Sequence, residues 1–305
     1  MRWFQKILVV IGQGDIPKVL FDEIAQVIAA NEAEVTFLMI HPKLPGEMHE
    51  FQLQFEKMAQ DNIKAGLAAH NLNISYNFVV ETQKPYYISI IKRVIREDYD
   101  LIIKPEDKRE SKERGFKSLD MSLLRKAPCP VWIYRDMESE KQPNILTAID
   151  PLDEEPVARD LAIKLLRLGS ALSEELGAKH YIISCWEVEH ENFMRTSGFA
   201  KMEDETISQI IMDTQETHKK AFQYVMQKAD IEEPDRQVLA KGPADKMISD
   251  YIAQKDIDLV VMGTVGRTGI PGYFIGNTAE NILQNVGCSL FAVKPPGFQS
   301  PVKTD

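Results

Sequence analysis

Short runs of β-branched and aliphatic residues alternate along this chain with longer stretches whose apolar residues recur every three or four positions. The runs predict strands over 6–11, 33–40, 74–80, 100–104 and 130–134, and again over 144–149, 180–186, 236–240, 257–262 and 288–293. The intervening stretches predict helices over roughly 17–31, 47–70, 85–98 and 118–126, then 155–177, 203–229, 243–255 and 277–286. In 155–177, Ala158, Leu161, Ala162, Leu165, Leu166 and Leu172 fall at helical spacing and make one buried face. Ile182-Ile183 and the run Leu259 to Met262 are apolar without alternation, as strands covered on both faces are. Strand and helix in regular alternation argue for βα units and a parallel sheet.

The pattern occurs twice. KILVVIGQ (6–13) reads like NILTAIDP (144–151), DYDLIIK (98–104) like DIDLVVMG (256–263), and LLRKAPCPVWIY (123–134) like ILQNVGCSLFAV (282–293). The offsets are 138, 158 and 159, so the second copy carries about 20 extra residues between its first and fourth strands. A period this long is a duplicated domain. We place the first domain at 1–136, a polar linker (MESEKQP) at 137–143, the second domain at 143–296, and a loose tail at 297–305.

Composition narrows the function. The 305 residues carry a formal net charge of −10, which disfavours general binding to nucleic acid. Cys129, Cys185 and Cys288 are odd in number and far apart, so neither a disulfide framework nor a zinc ribbon is readable. No run approaches the roughly 18 apolar residues of a membrane span, and Ile7–Ile11 is about one strand long with no cleavage site after it. The expectation is a cytoplasmic protein with reduced thiols, neither secreted nor inserted in a membrane.

The strongest chemical signal is GTVGRTGIPGYFIGNTAEN (263–281), where five of the 16 glycines lie between a predicted strand and a predicted helix. Glycine lets backbone approach a ligand, and a helix N-terminus offers unpaired N–H groups and partial positive charge to phosphates. The structural alternative is a crossover loop closed by a capping box, with Asn277 as N-cap and Glu280 three residues on. No GxxxxGK[ST] occurs, so the segment is not a Walker A loop. Gly12-x-Gly14 has Pro17 where a dinucleotide fingerprint needs its third glycine, and reads as a turn.

Gly263-x2-Gly266-x9-Gly276-Asn277, with NILTAIDP, DIDLVVMG and CSLFAVKP around it, resembles the nucleotide signature G-x2-G-x9-G-[S/T] of the universal stress protein family. The resemblance spans nearly the whole chain. It implies two tandem, doubly wound, Rossmann-like five-stranded parallel-sheet domains of the adenine nucleotide alpha-hydrolase-like kind, with ATP in the second. Asp150 would accept from ribose or adenine, Ala148 and Ile149 would line the adenine slot, and Cys185 or Trp186 would offer backbone to the base. Met262 and Gly263 would lie under the ribose, and Gly266, Arg267, Gly276, Asn277 and Thr278 would surround the phosphates. Asn277 stands where Ser or Thr is usual; its amide can donate to phosphate and Thr278 supplies a hydroxyl. Magnesium would be held by the phosphates and water. In the first copy Gly12 stands where Asp150 stands in the second, and KPEDKRESKERGFK (104–117), with ten charged residues, replaces the glycine loop. No nucleotide is expected there; such charge runs usually mark a solvated face.

No Ser-His-Asp or Cys-His arrangement can be argued, and the six histidines show no metal-ligand spacing. His180 and Cys185, five apart on one strand, should face opposite sides. The expected function is a non-catalytic nucleotide-binding protein of the stress response. The alternatives are a slow ATP hydrolase using Arg267, or a carrier of an apolar or nucleotide-sugar ligand. In single-domain relatives the resemblance implies dimers through the last strand. Here the two last strands, 130–135 and 289–294, are expected to pair antiparallel within one chain, centred on Trp132, Tyr134, Leu290 and Ala292, with homodimerisation optional.

Overall fold

A computed structural model gives the fold and describes residues 2–304 apart from 13–15, 17, 73, 107–115, 117, 136–140, 153–155, 197–201, 232–235 and 265–275. The first half runs β1 (Lys6–Ile11), α1 (Lys18–Asn31), β2 (Glu34–Ile40), α2 (His49–Ala69), β3 (Tyr76–Glu81), α3 (Tyr86–Glu97), β4 (Leu101–Pro105), α4 (Ser118–Lys126) and β5 (Val131–Tyr134). The second half runs β6 (Asn144–Ile149), α5 (Pro156–Glu175), β7 (Lys179–Trp186), α6 (Glu191–Thr196), α7 (Asp204–Ala229), β8 (Gln237–Lys241), α8 (Ala244–Lys255), β9 (Leu259–Gly263), α9 (Asn277–Asn285) and β10 (Ser289–Val293). Helix α6 has no counterpart in the sequence reading, because ENFMRT buries nothing and leaves no periodic apolar pattern.

The strands form a ten-stranded sheet in the order β3-β2-β1-β4-β5-β10-β9-β6-β7-β8. Each half has the doubly wound order 3-2-1-4-5, parallel throughout. Alternation along the buried strands sends successive side chains to two cores. Ile7, Val9 and Ile11 pack under α1 and α2, and the same core continues beneath α5 and α7. Leu8 and Val10 turn to the other face, where α3, α4, α8 and α9 lie.

The D-x-D of each repeat is a fastening. Asp98 and Asp256 end α3 and α8 in the left-handed region, with φ of 54° and 49°, which Asp tolerates better than most residues. Two residues on, Asp100 accepts from the N–H groups of Gln5 and Lys6 at 2.7 and 3.0 Å, and Asp258 from Asn144 N–H at 2.7 Å. Each acid thereby pins the start of its half's first strand.

The halves meet where β5 and β10 run antiparallel, with Ile133 opposite Leu290, Trp132 opposite Phe291 and Val131 opposite Ala292. The pleat divides the four residues singled out from the sequence between two faces. Trp132 and Tyr134 belong to the core under α1 and α5, while Leu290 and Ala292 belong to the opposite one. Trp132 therefore packs on Phe291, at 6.0 Å between ring centroids, and Phe291 also meets Phe4 at 5.9 Å.

Buried polar pairs organise the second half. His180 Nε2 and Thr147 Oγ1 lie 2.8 Å apart between β6 and β7, and Gly169 of α5 crosses above them. A Cβ at Gly169 would come within 2.0 Å of the Thr147 hydroxyl, so only glycine lets the helix settle there. His180 does face away from Cys185, which packs against the other core. Burial, then the charge of Arg236, lowers the His180 pKa to about 4. As pH falls below about 6.5 the unfolded chain takes up a proton that the folded chain refuses until about 4, so stability drops across that window. The expected loss by pH 4 is about 3 kcal/mol. Glu23 acts in the opposite sense: burial, then Asp258 and Asp22, raise it to about 8, so its share of stability is lost as pH rises from about 4.5 through 8. Urea unfolding at stepped pH, comparing wild type with His180→Gln, isolates the histidine; an identical slope below pH 6.5 in both would contradict this assignment.

Candidate functional site

The parallel strands of the second half all point their carboxyl ends to one edge of the sheet. The chain leaves β6 toward β7 on one side and later returns to β9 on the other, so this edge holds a topological switch point, where open α/β sheets receive ligands. Register brings the predicted residues together there. Ala148 pairs with Met262, Met262 with Ala292, and Ile149 with Ser184. Ala148, Ile149, Trp186 and Met262 are buried, and Cys185 is half-buried. Asp150 stands exposed just past β6, and its Oδ1 accepts from Leu152 N–H at 3.2 Å.

Several of these residues also make structural contacts. The Trp186 carbonyl accepts from Gly242 N–H at 2.8 Å and is occupied in joining β7 to the turn after β8. Gly263 also lies close under α5, where a Cβ would come 3.1 Å from the Leu161 side chain. Gly266 and Arg267 lie outside the described residues. The ends of their segment are tied together, since Thr264 N–H donates to Val293 O at 3.2 Å and Gly276 N–H to Thr264 O at 3.3 Å.

Gly276, at φ −60° and ψ 145°, is the N-cap of α9, Asn277 is the first helical residue and Thr278 is exposed. Among the described residues, no side chain caps this turn. The capping box is therefore corrected. Glu280 sits in the helical first turn, its N–H donating to Gly276 O at 2.9 Å, and its carboxylate pairs with Arg125 of α4. The first half holds the other end of α9 too, because Arg135 Nη1 donates to Val286 O at 2.5 Å. Sequence spacing gave no sign of these contacts, whose partners lie more than a hundred residues apart.

Cys185 is the one thiol at this edge among the described residues. Burial, with Asp150 and Glu187 nearby, pushes the Cys185 thiol up to about 12, so it stays protonated at neutral pH. Beside the site, past β7 and β8, a cavity of about 390 Å³ opens between Glu187, Val188, Glu191, Lys241 and Pro243. Lys241 donates to Glu191 at 2.7 Å and lies over the Trp186 ring, which secures α6 along this mouth. Lys241, then Arg195, holds the Glu191 carboxyl below its usual range. In the first half, Lys104 belongs to the buried interior and not to a solvated charge run. Its Nζ lies 2.9 Å from Asp120, which is buried as well. Among the described residues, no group of three or more His, Cys, Asp or Glu could hold a metal, and no helix is long and apolar enough to cross a membrane.

Residues 4–135 and 143–294 each match the model of the universal stress protein family. The chain belongs to the universal stress protein family. Universal stress protein E of Salmonella typhi is 30% identical over 229 residues, covering 74% of this chain and 70% of that protein. The Escherichia coli K12 protein of the same name is 31% identical over the same shares. Among solved structures, one from Pseudomonas aeruginosa UCBPP-PA14 ascribed to this family superposes with a TM-score of 0.73 at 22% identity, covering 96% of this chain and 94% of that one. A universal stress protein from Archaeoglobus fulgidus DSM 4304 gives 0.55 at 16% identity, covering 94% and 98%. These two likenesses speak for the fold alone.

Proposed function

We propose that this universal stress protein binds an adenine nucleotide, ATP in the first instance, in its second half, and acts by binding and not by turnover. One observation carries the reading: Asp150 stands exposed at the end of β6, at the same switch-point edge as the first turn of α9, whose N-cap is a glycine. The donor set suits the ligand. The first-turn N–H groups and the helix dipole favour phosphate, while Asp150 offers an acceptor to ribose or base and Ala148, Ile149 and Met262 offer apolar surface. Bound ATP supplies charge and contact energy that favour one state of the protein over another. Magnesium would travel with the phosphates. Cys185 is a thiol and provides no nucleophile.

A second reading has an observation of its own. A cavity of about 270 Å³ lies between α1, α2 and the end of β1, lined by Ile11, Ile16, Phe21, Ala59, Asn62 and Ile63. It suits a small apolar ligand carried by the first half.

Incubation with labelled ATP followed by rapid desalting tests the first reading. Retained, intact ATP is the expected result, and many turnovers per chain would overturn it. Mass spectrometry of what the denatured protein releases reports on the second.

A further inference from the structure

Lys294 follows β10 directly. It is 6% exposed, yet no carboxylate meets it among the described residues. Its Nζ donates to Leu124 O of α4 at 2.5 Å and to Thr264 Oγ1 at 2.6 Å, with the Phe298 ring centroid 4.9 Å away. The acids on the elements around it are already engaged: Asp120 of α4 with Lys104, and Glu280 of α9 with Arg125. A buried ammonium without a counter-ion is costly.

The internal repeat supplies the comparison. Arg135 occupies the matching position after β5, 159 residues earlier, and also reaches across the join, to Val286 O. Its charge is neutralised by Glu106, at 2.6 and 2.9 Å. Glu106 corresponds to Thr264, 158 residues later. So the half without a glycine loop carries its own acid at this point. The half with the glycine loop carries a hydroxyl, on the very residue whose carbonyl accepts from Gly276 at the mouth of α9.

We propose that Lys294 supplies the counter-charge for the phosphates of a nucleotide bound by the second half, held toward them by Thr264 and by the Leu124 carbonyl of the first half. This rests on the nucleotide reading above. Lys294 acts through Thr264 and through its field, as a positioning residue. Burial alone lowers its pKa to about 7, so without ligand it sheds its proton near neutrality. Phosphate binding restores the charged form, and affinity must then fall as pH rises.

The test is MgATP binding to the full chain between pH 6 and 8.5, for wild type, Lys294→Arg, Lys294→Met and Thr264→Glu. The nucleotide's own titration is common to all four and cancels in their ratios. Wild-type binding should weaken across the range by up to about thirtyfold relative to Lys294→Arg, whose charge is permanent, the ceiling being set by the interval between the free lysine's pKa of about 7 and pH 8.5. Lys294→Met should bind weakly with the same flat ratio. Thr264→Glu, which installs the acid of the first half, should lose at least about tenfold while keeping the wild-type melting temperature or exceeding it. The inference is overturned if Thr264→Glu binds as wild type does, or if the wild-type to Lys294→Arg ratio stays constant with pH. If wild type binds no nucleotide at any pH, the nucleotide reading falls and this inference with it; if wild type binds and the variants match it, this inference alone falls.

Discussion

A chain carrying Trp132→Asp and Leu290→Asp together is expected to lose its fold, not merely to loosen at the join. Both side chains are fully buried, and they point to opposite faces of the sheet at the one antiparallel pairing that unites the halves. Trp132 packs on Phe291 in the core that α1 and α5 share, while Leu290 belongs to the core that α4 and α9 share. Truncating a buried Trp or Leu costs about 2–5 kcal/mol, and burying an unpaired carboxylate adds several more. Two such losses reach the whole stability of an ordinary domain, about 5–15 kcal/mol. Exposed β5 and β10 edges would then be open to pairing between chains. Thermal unfolding and small-angle scattering should show aggregation or expanded halves. An unchanged melting curve and scattering profile would refute the idea that the join carries the fold. The ring nitrogen of Trp132 has no acceptor among the described residues, so Trp132→Phe should cost far less.

Asp150→Ala combined with Gly276→Val is expected to abolish nucleotide binding with little change in stability. Asp150 is exposed, so its replacement opens no cavity in the core. Gly276 has φ −60° and ψ 145°, which any residue adopts, so valine brings no backbone strain. It brings bulk to the mouth of α9 and a poor N-cap, at a cost of about 1 kcal/mol. Losing one charged acceptor and the approach to the helix N–H groups should weaken ATP by a hundredfold or more, since a hydrogen bond to a charged group is worth about 1.5–3 kcal/mol. Gly12→Ala is the matched control: the space around Gly12 is open and its half carries no glycine loop. Lys104 would be a poor control, because breaking its buried pair with Asp120 threatens the fold itself.

Most of the secondary structure was legible in the sequence because it is local. Strand boundaries fall within two residues of the apolar runs, and D-x-D marks the same junction in both halves. The chemistry at the edges was less legible. Lys104 reads as one charge among ten, and only the fold places Asp120, sixteen residues on, against it. Glu280 sits at capping-box spacing, but the helix starts one residue earlier than that reading needs at its N-cap, and Arg125 claims the carboxylate. Gly263 reads as a ligand glycine by spacing, and its place beside Leu161 of α5 is visible only in the fold. In each case the deciding partner is distant in sequence, and no periodicity encodes it. The glycine loop itself is the opposite case: its spacing is plain in the sequence, while residues 265–275 lie outside the described structure.

In the proposed arrangement one half of this tandem chain holds the nucleotide, while Arg125 and Arg135 of the other hold α9 in place. Calorimetric titration of the full chain with MgATP tests it most directly, with Asp150→Ala/Gly276→Val and Gly12→Ala titrated alongside. One site per chain is expected in wild type and in Gly12→Ala, and none in the double variant. Two sites per chain, no binding by wild type, or a site that survives in the double variant would contradict it.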